Sequence, residues 1–518
     1  VKGAWRTFMK STMFTFESIY IKKIGGLAEV PPRLGEAIER LGVEVELFTP
    51  SHSVIDTCKD PIYETKIDGT TYCIKKVSNF KPVHYVVGGG ILDDPSVYPP
   101  GKLVDKALVF ARIIYEFFKG KNSSEVDGLV FHGHDWHSIP ALLALNALSV
   151  EKKLRNGFIL HVHLGSKNKV QLNELCIKTM LCSDTIVKGD LGITELKQYY
   201  EVSSGLIERL AALTVDKVIT VSMNYIRNLV RLIGLNSAKK TDYVYNASPL
   251  TWSQVVEILK EKAGLKELDK PSSRKLYRSK LLTEYIEKIR VSFVEQVVEK
   301  YVESLLAKYD VEYNAPFKSD GPLIFMIGRL SSQKGFDYVL KAMDKLLLAN
   351  PRVKMVAAFS PTRWDVESVE KWIEAMLSYP DNLRVFPGML IRDYAVEFYY
   401  AANTTLIPSR NEPFGLVALE SMAAGTPVAA SRVGGLVDIV SDVRATGSKG
   451  VGVLFTPGDI NDLVESTMYL VELMEAGYME LNEAWLIRNS CIRRAGEFNW
   501  DSSARKMINI YKNIVSKI

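Results

Sequence analysis

No stretch of the 518-residue sequence approaches the roughly 18–20 uninterrupted apolar residues that a membrane-spanning helix needs, and no apolar segment with a small-residue cleavage site stands near its start. A cytoplasmic protein without a membrane partner is expected. No strong excess of charge of one sign exists: 65 basic against 60 acidic residues leave a net +5, too little to argue for nucleic acid. The five cysteines (Cys58, Cys73, Cys176, Cys182, Cys491) form no C-x-x-C pair, so neither a disulfide framework nor a zinc ribbon is indicated. They read as free, packed thiols. No G-x-G-x-x-G follows the first strand-like run and no G-x-x-x-x-G-K-[ST] occurs, which removes the usual dinucleotide and P-loop phosphate cradles.

What is present is an alternation of short β-branched or aromatic runs with amphipathic helical stretches, the pattern of parallel α/β sheets. TMFTFE (12–17), a helix over 34–42 and VEVELF (43–48) form a first βαβ unit, followed by GLVFHGH (128–134), a helix over 139–148, GFILHVH (157–163) and VDKVITVS (215–222). The sheet then meets VYNA (244–247). Residues 255–318 are rich in Lys, Glu and Leu at helical spacing and read as a helical insertion suited to a contact between copies of the chain. The alternation restarts with PLIFMIG (322–328) and continues through VKMVAAF, LRVFPG, TTLIPS and PVAAS. The domains expected are 1–249 and 250–500, with 501–518 a final helix returning to the first, and two such halves imply a cleft.

Three stretches carry groups suited to a phosphorylated sugar. KIGGLAEV (23–30) puts Lys23 beside Gly25 and Gly26 before a helix, which is either an anion-facing turn or a turn and nothing more. GRLSSQKG (328–335) places Arg329 and Lys334 in one loop at the carboxyl edge of a parallel sheet, where two cations can hold a diphosphate. RNEPFGLVALESMAAGTPV (410–428) sets Glu412 in a loop and Glu420 eight residues later, with a helix beginning near Gly415 and Leu416 whose N-terminus suits phosphate. Five of the seven histidines (His132, His134, His137, His161, His163) crowd into two neighbouring clusters, which invites a three-ligand metal reading. No H-E-x-x-H accompanies them, and strand-end histidines satisfying backbone groups are the plainer alternative.

EPFGLVALE followed by AAGTPV resembles the E-x7-E motif of retaining glycosyltransferases of the GT-B fold. KIGGLAEVPPRLGEAI, HGHDWHSIPA, GGGILDDPSVYPPG and GRLSSQKG, in that order, resemble the glycogen and starch synthases, especially the archaeal ones. The resemblance spans about 12–510. It implies two doubly wound, Rossmann-like domains around a cleft. The activity implied is transfer of glucose from ADP-glucose or UDP-glucose to the non-reducing end of an α-1,4-glucan, with retention and without a metal or other cofactor. Residue by residue, it puts Arg329 and Lys334 on the leaving diphosphate, Glu412 beside the transferred glucose, and Glu420 on the ribose. Gly415 and Leu416 fall at the phosphate-facing helix start, and Lys23, Gly25 and Gly26 close on the donor. Asp135 falls near the acceptor or glucose, and His163 supports the forming cation. Gly434 and Gly435 let the chain pass close to other site elements.

Two segments depart from the family. The hinge sequence N-G-I-D is here Asn246-Ala247-Ser248-Pro249, and Phe359–Arg363 replaces a glycine-rich turn, which puts donor contacts from that turn in doubt. A related enzyme with a small sugar acceptor and a non-catalytic glucan-binding paralogue are the alternatives. Retention of the Arg329–Lys334 cation pair opposes the second.

Overall fold

The computed structural model describes residues 9–264, 268, 270–293, 295–477 and 483–517. The chain forms two units, Val1–Asn246 with Asn499–Ile518, and Ala247–Phe498.

In the first unit, β1 (Lys10–Phe14), β2 (Glu44–Pro50), β3 (Tyr63–Ile67), β4 (Thr70–Val77), β5 (Val83–Gly88), β6 (Val130–His134) and β7 (Gly157–Val162) come first along the chain. A separate hairpin, β8 (Ile186–Gly189) and β9 (Gly192–Glu195), precedes β10 (Lys217–Thr220) and β11 (Thr241–Tyr243). The sheet order is β11-β10-β7-β6-β1-β2-β5-β4-β3, parallel except where β4 runs against β3 and β5. Side chains alternate across it as the pleat requires. Phe14 and Phe131 enter one apolar core, while Met13 and Val130 enter the core on the opposite face with residues of the last helix, Trp500–Val515.

That helix is anchored from the far end of the chain. The buried hydroxyl of Tyr511 lies 3.0 Å from Ser11 Oγ and 2.8 Å from His132 Nδ1, and Gly157 leaves the space that Ile514 fills. A Cβ on Gly157 would stand 2.5 Å from Ile514 Cγ2.

The second unit holds β12 (Val291–Ser292), β13 (Leu323–Arg329), β14 (Lys354–Ser360), β15 (Leu383–Phe386), β16 (Met389–Leu390), β17 (Thr404–Ile407), β18 (Val428–Ser431) and β19 (Gly452–Phe455). Six strands make one all-parallel sheet, β15-β14-β13-β17-β18-β19, and β12 pairs with β16 apart from it.

Several expectations shift. The antiparallel extension β3–β5 was not legible from alternation alone, and the strand expected at VYNA pairs slightly earlier, at Thr241–Tyr243. The 255–318 stretch is mainly helical (Trp252–Ala263, Pro271–Thr283, Gln296–Tyr309) but contributes β12, whose two residues are too short to give a strand pattern. Its residues 265–267, 269 and 294 lie outside the described residues, as do residues 1–8 of the expected first domain.

The reading of five free thiols is wrong. Cys58 and Cys73 form a disulfide with Cα atoms 5.2 Å apart, because β4 brings Cys73 alongside the loop after β2. Cys176 and Cys182 form another, with Cα atoms 4.1 Å apart, because Met180 in the left-handed region (φ 65°) turns the chain back on itself. Only Cys491 is a free, buried thiol, and burial pushes it up to about 12.

Tyr511→Phe keeps the ring and removes the hydroxyl that ties the last helix to β1 and β6. It is expected to lower stability by about 1–3 kcal/mol, since buried partners are left unsatisfied, read as a shift of the urea midpoint at unchanged slope.

Candidate active site

In a parallel sheet all strands end on one edge, and ligands bind where the strand order reverses, because chains leaving the two central strands turn to opposite faces. In the second unit that point is between β13 and β17, and in the first between β1 and β6. Most of the sequence-derived residues sit at or just beyond the ends of these strands; Glu420 lies in the helix after the β17 loop, Gly434 and Gly435 follow β18, and His163 is one residue beyond β7.

In the second unit, Arg329 ends β13 and Lys334 closes the short 3-10 turn Ser332–Lys334. Lys334 Nζ lies 2.6 Å from Glu412 Oε2, which also accepts a hydrogen bond from Ser409 Oγ at 3.0 Å. The structure thus joins Lys334 and Glu412 in one partly buried ion pair. Arg329 is exposed and makes no ion pair among the described residues.

The two loops are fastened by Gln333 Nε2 to the Asn411 carbonyl (2.9 Å), by Arg410 N–H to the Gln333 carbonyl (2.8 Å), and by a two-pronged Arg410–Asp337 pair. Gly335 (φ 67°) makes the approach feasible, since a Cβ there would lie 2.0 Å from the Pro408 carbonyl oxygen. Gly415 (φ 113°) is the residue from which the helix Leu416–Ala423 starts. Glu420 lies within that helix, and Tyr399 Oη donates to its Oε2 at 2.9 Å. The Gly434–Gly435 segment closes on the same loop: Gly435 N–H donates to the Glu412 carbonyl at 2.9 Å, and a Cβ on Gly435 would be 2.3 Å from the Phe414 carbonyl oxygen.

In the first unit, the loop after β1 differs from the anion-turn expectation. Its Ile24 and Gly25 amides donate to Glu17 Oε2, at 2.8 and 2.7 Å, so those donors already hold a carboxylate. Tyr98 Oη donates to Glu17 Oε1. Lys23 is exposed and pairs with Glu29 at 2.8 Å, and Gly26 begins a short 3-10 turn leading into the helix Val30–Arg40. Glu17 is the residue that motif reading missed; its only sequence signal is its place at the carboxyl end of the first strand.

After β6, Asp135 adopts a left-handed conformation (φ 58°) that few non-glycine residues hold without support from their surroundings. Its amide donates to the His161 carbonyl, and its Oδ1 accepts from the amides of His163 (2.6 Å) and Leu164 (3.2 Å). Burial raises its pKa to about 7, against the two amide bonds that lower it, with repulsion from Glu208 and Glu17 adding to the rise. His163 Nε2 is 2.9 Å from His134 Nδ1, and burial lowers the His163 ring to about 3. Asp135 therefore positions the backbone at His163, and His163 is a neutral imidazole.

Residues 11–239 match the family profile described as starch synthase catalytic domain, and residues 312–484 match glycosyl transferases group 1. Together they cover most of the chain. These matches mark the chain as a glycosyltransferase similar to the glycogen and starch synthases. It is 23% identical to a glycogen synthase of Desulfitobacterium hafniense over 95% of this chain and 96% of that one. Over 204 residues it is 32% identical to a D-inositol 3-phosphate glycosyltransferase of Acidothermus cellulolyticus, of which it spans less than half, 42%. The catalytic domain of starch synthase IV from Arabidopsis thaliana, solved with ADP and acarbose, superposes with a TM-score of 0.70 at 18% identity, covering 98% of this chain and 99% of that one. At that identity the likeness is one of fold, and it is the GT-B fold.

The glycosyltransferase carries a pH signature at Asp135. Its folded pKa stands above the unfolded value of 3.8, so between pH 4 and 7 the native state holds more protons than the unfolded one. Stability contributed by the protonated form is present at low pH and declines as pH rises through about 7, at up to about 1.4 kcal/mol per pH unit. Asp135→Asn is expected to flatten this decline and to be the more stable protein at pH 8, as measured by urea midpoints across pH 4–8.

Proposed function

We propose that the protein transfers glucose, with retention, from ADP-glucose or UDP-glucose to the non-reducing end of an α-1,4-glucan. The observation that carries this reading is the clasp at the β13–β17 crevice, where Arg329 and the Glu412-held Lys334 share the loop pair leaving a Rossmann-like switch point. As the glycosidic bond to the nucleoside diphosphate breaks toward an oxocarbenium-like state, negative charge grows on the leaving phosphate. Fixed cations are worth most where charge develops.

In this reading, Glu412 orients Lys334 and faces the glucose, Glu420 takes the ribose hydroxyls, and the start of the helix at Gly415 and Leu416 turns its amides toward phosphate. The resemblance assigns Lys23 and Gly26 to the donor, whereas the Gly25 amide is taken up by Glu17. Asp135 and His163 serve the acceptor side, and no metal or cofactor enters the transfer. The reaction is placed in the cytoplasm, with the donor and glucan as partners and assembly between copies through the 255–318 stretch. The starch synthase profile over residues 11–239 favours a glucan over a small sugar acceptor, since the donor half alone is shared with the inositol-phosphate enzymes.

Incubation with ADP-glucose or UDP-glucose and glycogen is expected to release the nucleoside diphosphate and lengthen the glucan. Arg329→Ala and Lys334→Ala should each reduce kcat at least 100-fold, the scale of removing one transition-state contact of about 2.7–4 kcal/mol. Unchanged turnover in both variants overturns the assignment. Glycogen binding without nucleotide release from either donor makes the protein a non-catalytic paralogue.

A further inference from the structure

The proposed transfer gives no role to His132, His134 and His161 of the first unit. His132 and His134 are two residues apart on β6, so they project from the same face, and His161 on β7 is the register partner of His134. All three are wholly buried. Their rings, with that of His163, form a cluster with centroids 4.4 to 5.4 Å apart. One ring nitrogen from each of His132, His134 and His161 falls within 4.8 Å of the others.

The pattern of satisfied and orphaned nitrogens is specific. His132 Nδ1 is 2.8 Å from the Tyr511 hydroxyl and His134 Nδ1 is 2.9 Å from His163 Nε2, whereas Nε2 of both rings has no hydrogen-bond partner. Neither nitrogen of His161 has one. His132 and His134 thus show the division of metal-bound imidazoles, with one nitrogen free for an ion and the other held by an outer partner that fixes the ring.

Hard oxygen-seeking cations do not suit an all-imidazole set, and zinc-class ions do.

We propose that His132, His134 and His161 hold one divalent ion of the zinc class through ring nitrogens, with water at the fourth position. The rings lie nearly parallel, at interplanar angles of 6 to 29°. Binding therefore turns them about χ2 until their nitrogens approach the separation of about 3.3–3.4 Å set by tetrahedral Zn–N bonds of 2.0–2.1 Å. Entry is from the strand ends, where His163 and Asp135 keep 9% and 7% of their surface exposed. The site lies outside the diphosphate machinery and does not depend on the transferase reading.

The test uses full-length protein dialysed against chelator and titrated with Co(II), then Zn(II). The expected result is a set of visible d–d bands that saturates at one Co(II) per chain, is displaced by zinc, and is weakened at least 100-fold in His161→Ala and in His132→Ala. His84→Ala, whose ring lies elsewhere against Ser18 and Pro82, should bind as the wild type does. Far-ultraviolet circular dichroism of the metal-free variants checks that they fold. Absence of Co(II) bands in the wild-type protein overturns the proposal whatever the variants do, and so does equal uptake by folded His161→Ala.

Discussion

In each unit, the placement of the candidate residues depends on the reversal of strand order in its sheet. β1 lies between β2 and β6, and β13 between β14 and β17, so consecutive strands are laid down first to one side and then to the other. At each reversal the flanking connections part, and backbone at the strand ends is left without a covering helix. Glu17 and Asp135 occupy the two sides of one reversal, and the Arg329–Lys334 and Ser409–Glu412 segments the two sides of the other. The chemistry of the residues is secondary to this placement, because the same side chains at the amino edge would be packed under connecting helices.

Within the second unit the crevice is held by close backbone approach more than by side-chain packing. Gly335 against Pro408 and Gly435 against Phe414 allow contacts that any Cβ would forbid, and Arg410 bridges the β13 and β17 loops through Asp337 and the Ser332 carbonyl. These contacts fix the loops before any ligand arrives, and preorganisation of this kind makes a charged contact effective in a transition state. Lys334 is held within this frame by a carboxylate at 2.6 Å. A lysine on a flexible four-carbon stem would otherwise lose side-chain entropy on meeting a phosphate; paired with Glu412, it is already ordered.

How much of this was legible follows from the range of each interaction. The Arg329–Lys334 loop and the Glu412–Glu420 segment are contiguous in sequence and follow readable strands, so both were found. The ion pair joining them spans 78 residues, and no local pattern announces it. The same holds for the two disulfides, which arise where a hairpin and a left-handed residue return the chain to itself, and for Tyr511, whose contact with His132 spans 379 residues. Glu17 was missed for a different reason. A carboxylate that accepts amides only two turns of chain away takes no special spacing, and its neighbours Gly25 and Gly26 read more readily as a phosphate turn than as a carboxylate's partners.

The two units also differ in electrostatics. The second offers permanent cations, Arg329 and Lys334, beside the loop that carries Glu412. The first offers groups whose charge is suppressed: Asp135 is pushed up to about 7 by burial, and the ring of His163 is held down to about 3. Under the proposed chemistry that division has a physical reason. The leaving diphosphate gains negative charge, whereas the transferred glucose passes through a cation-like state. An imidazolium beside that cation would oppose it by several kcal/mol in a poorly solvated site. A histidine kept neutral by burial can accept hydrogen bonds from sugar hydroxyls without adding that repulsion.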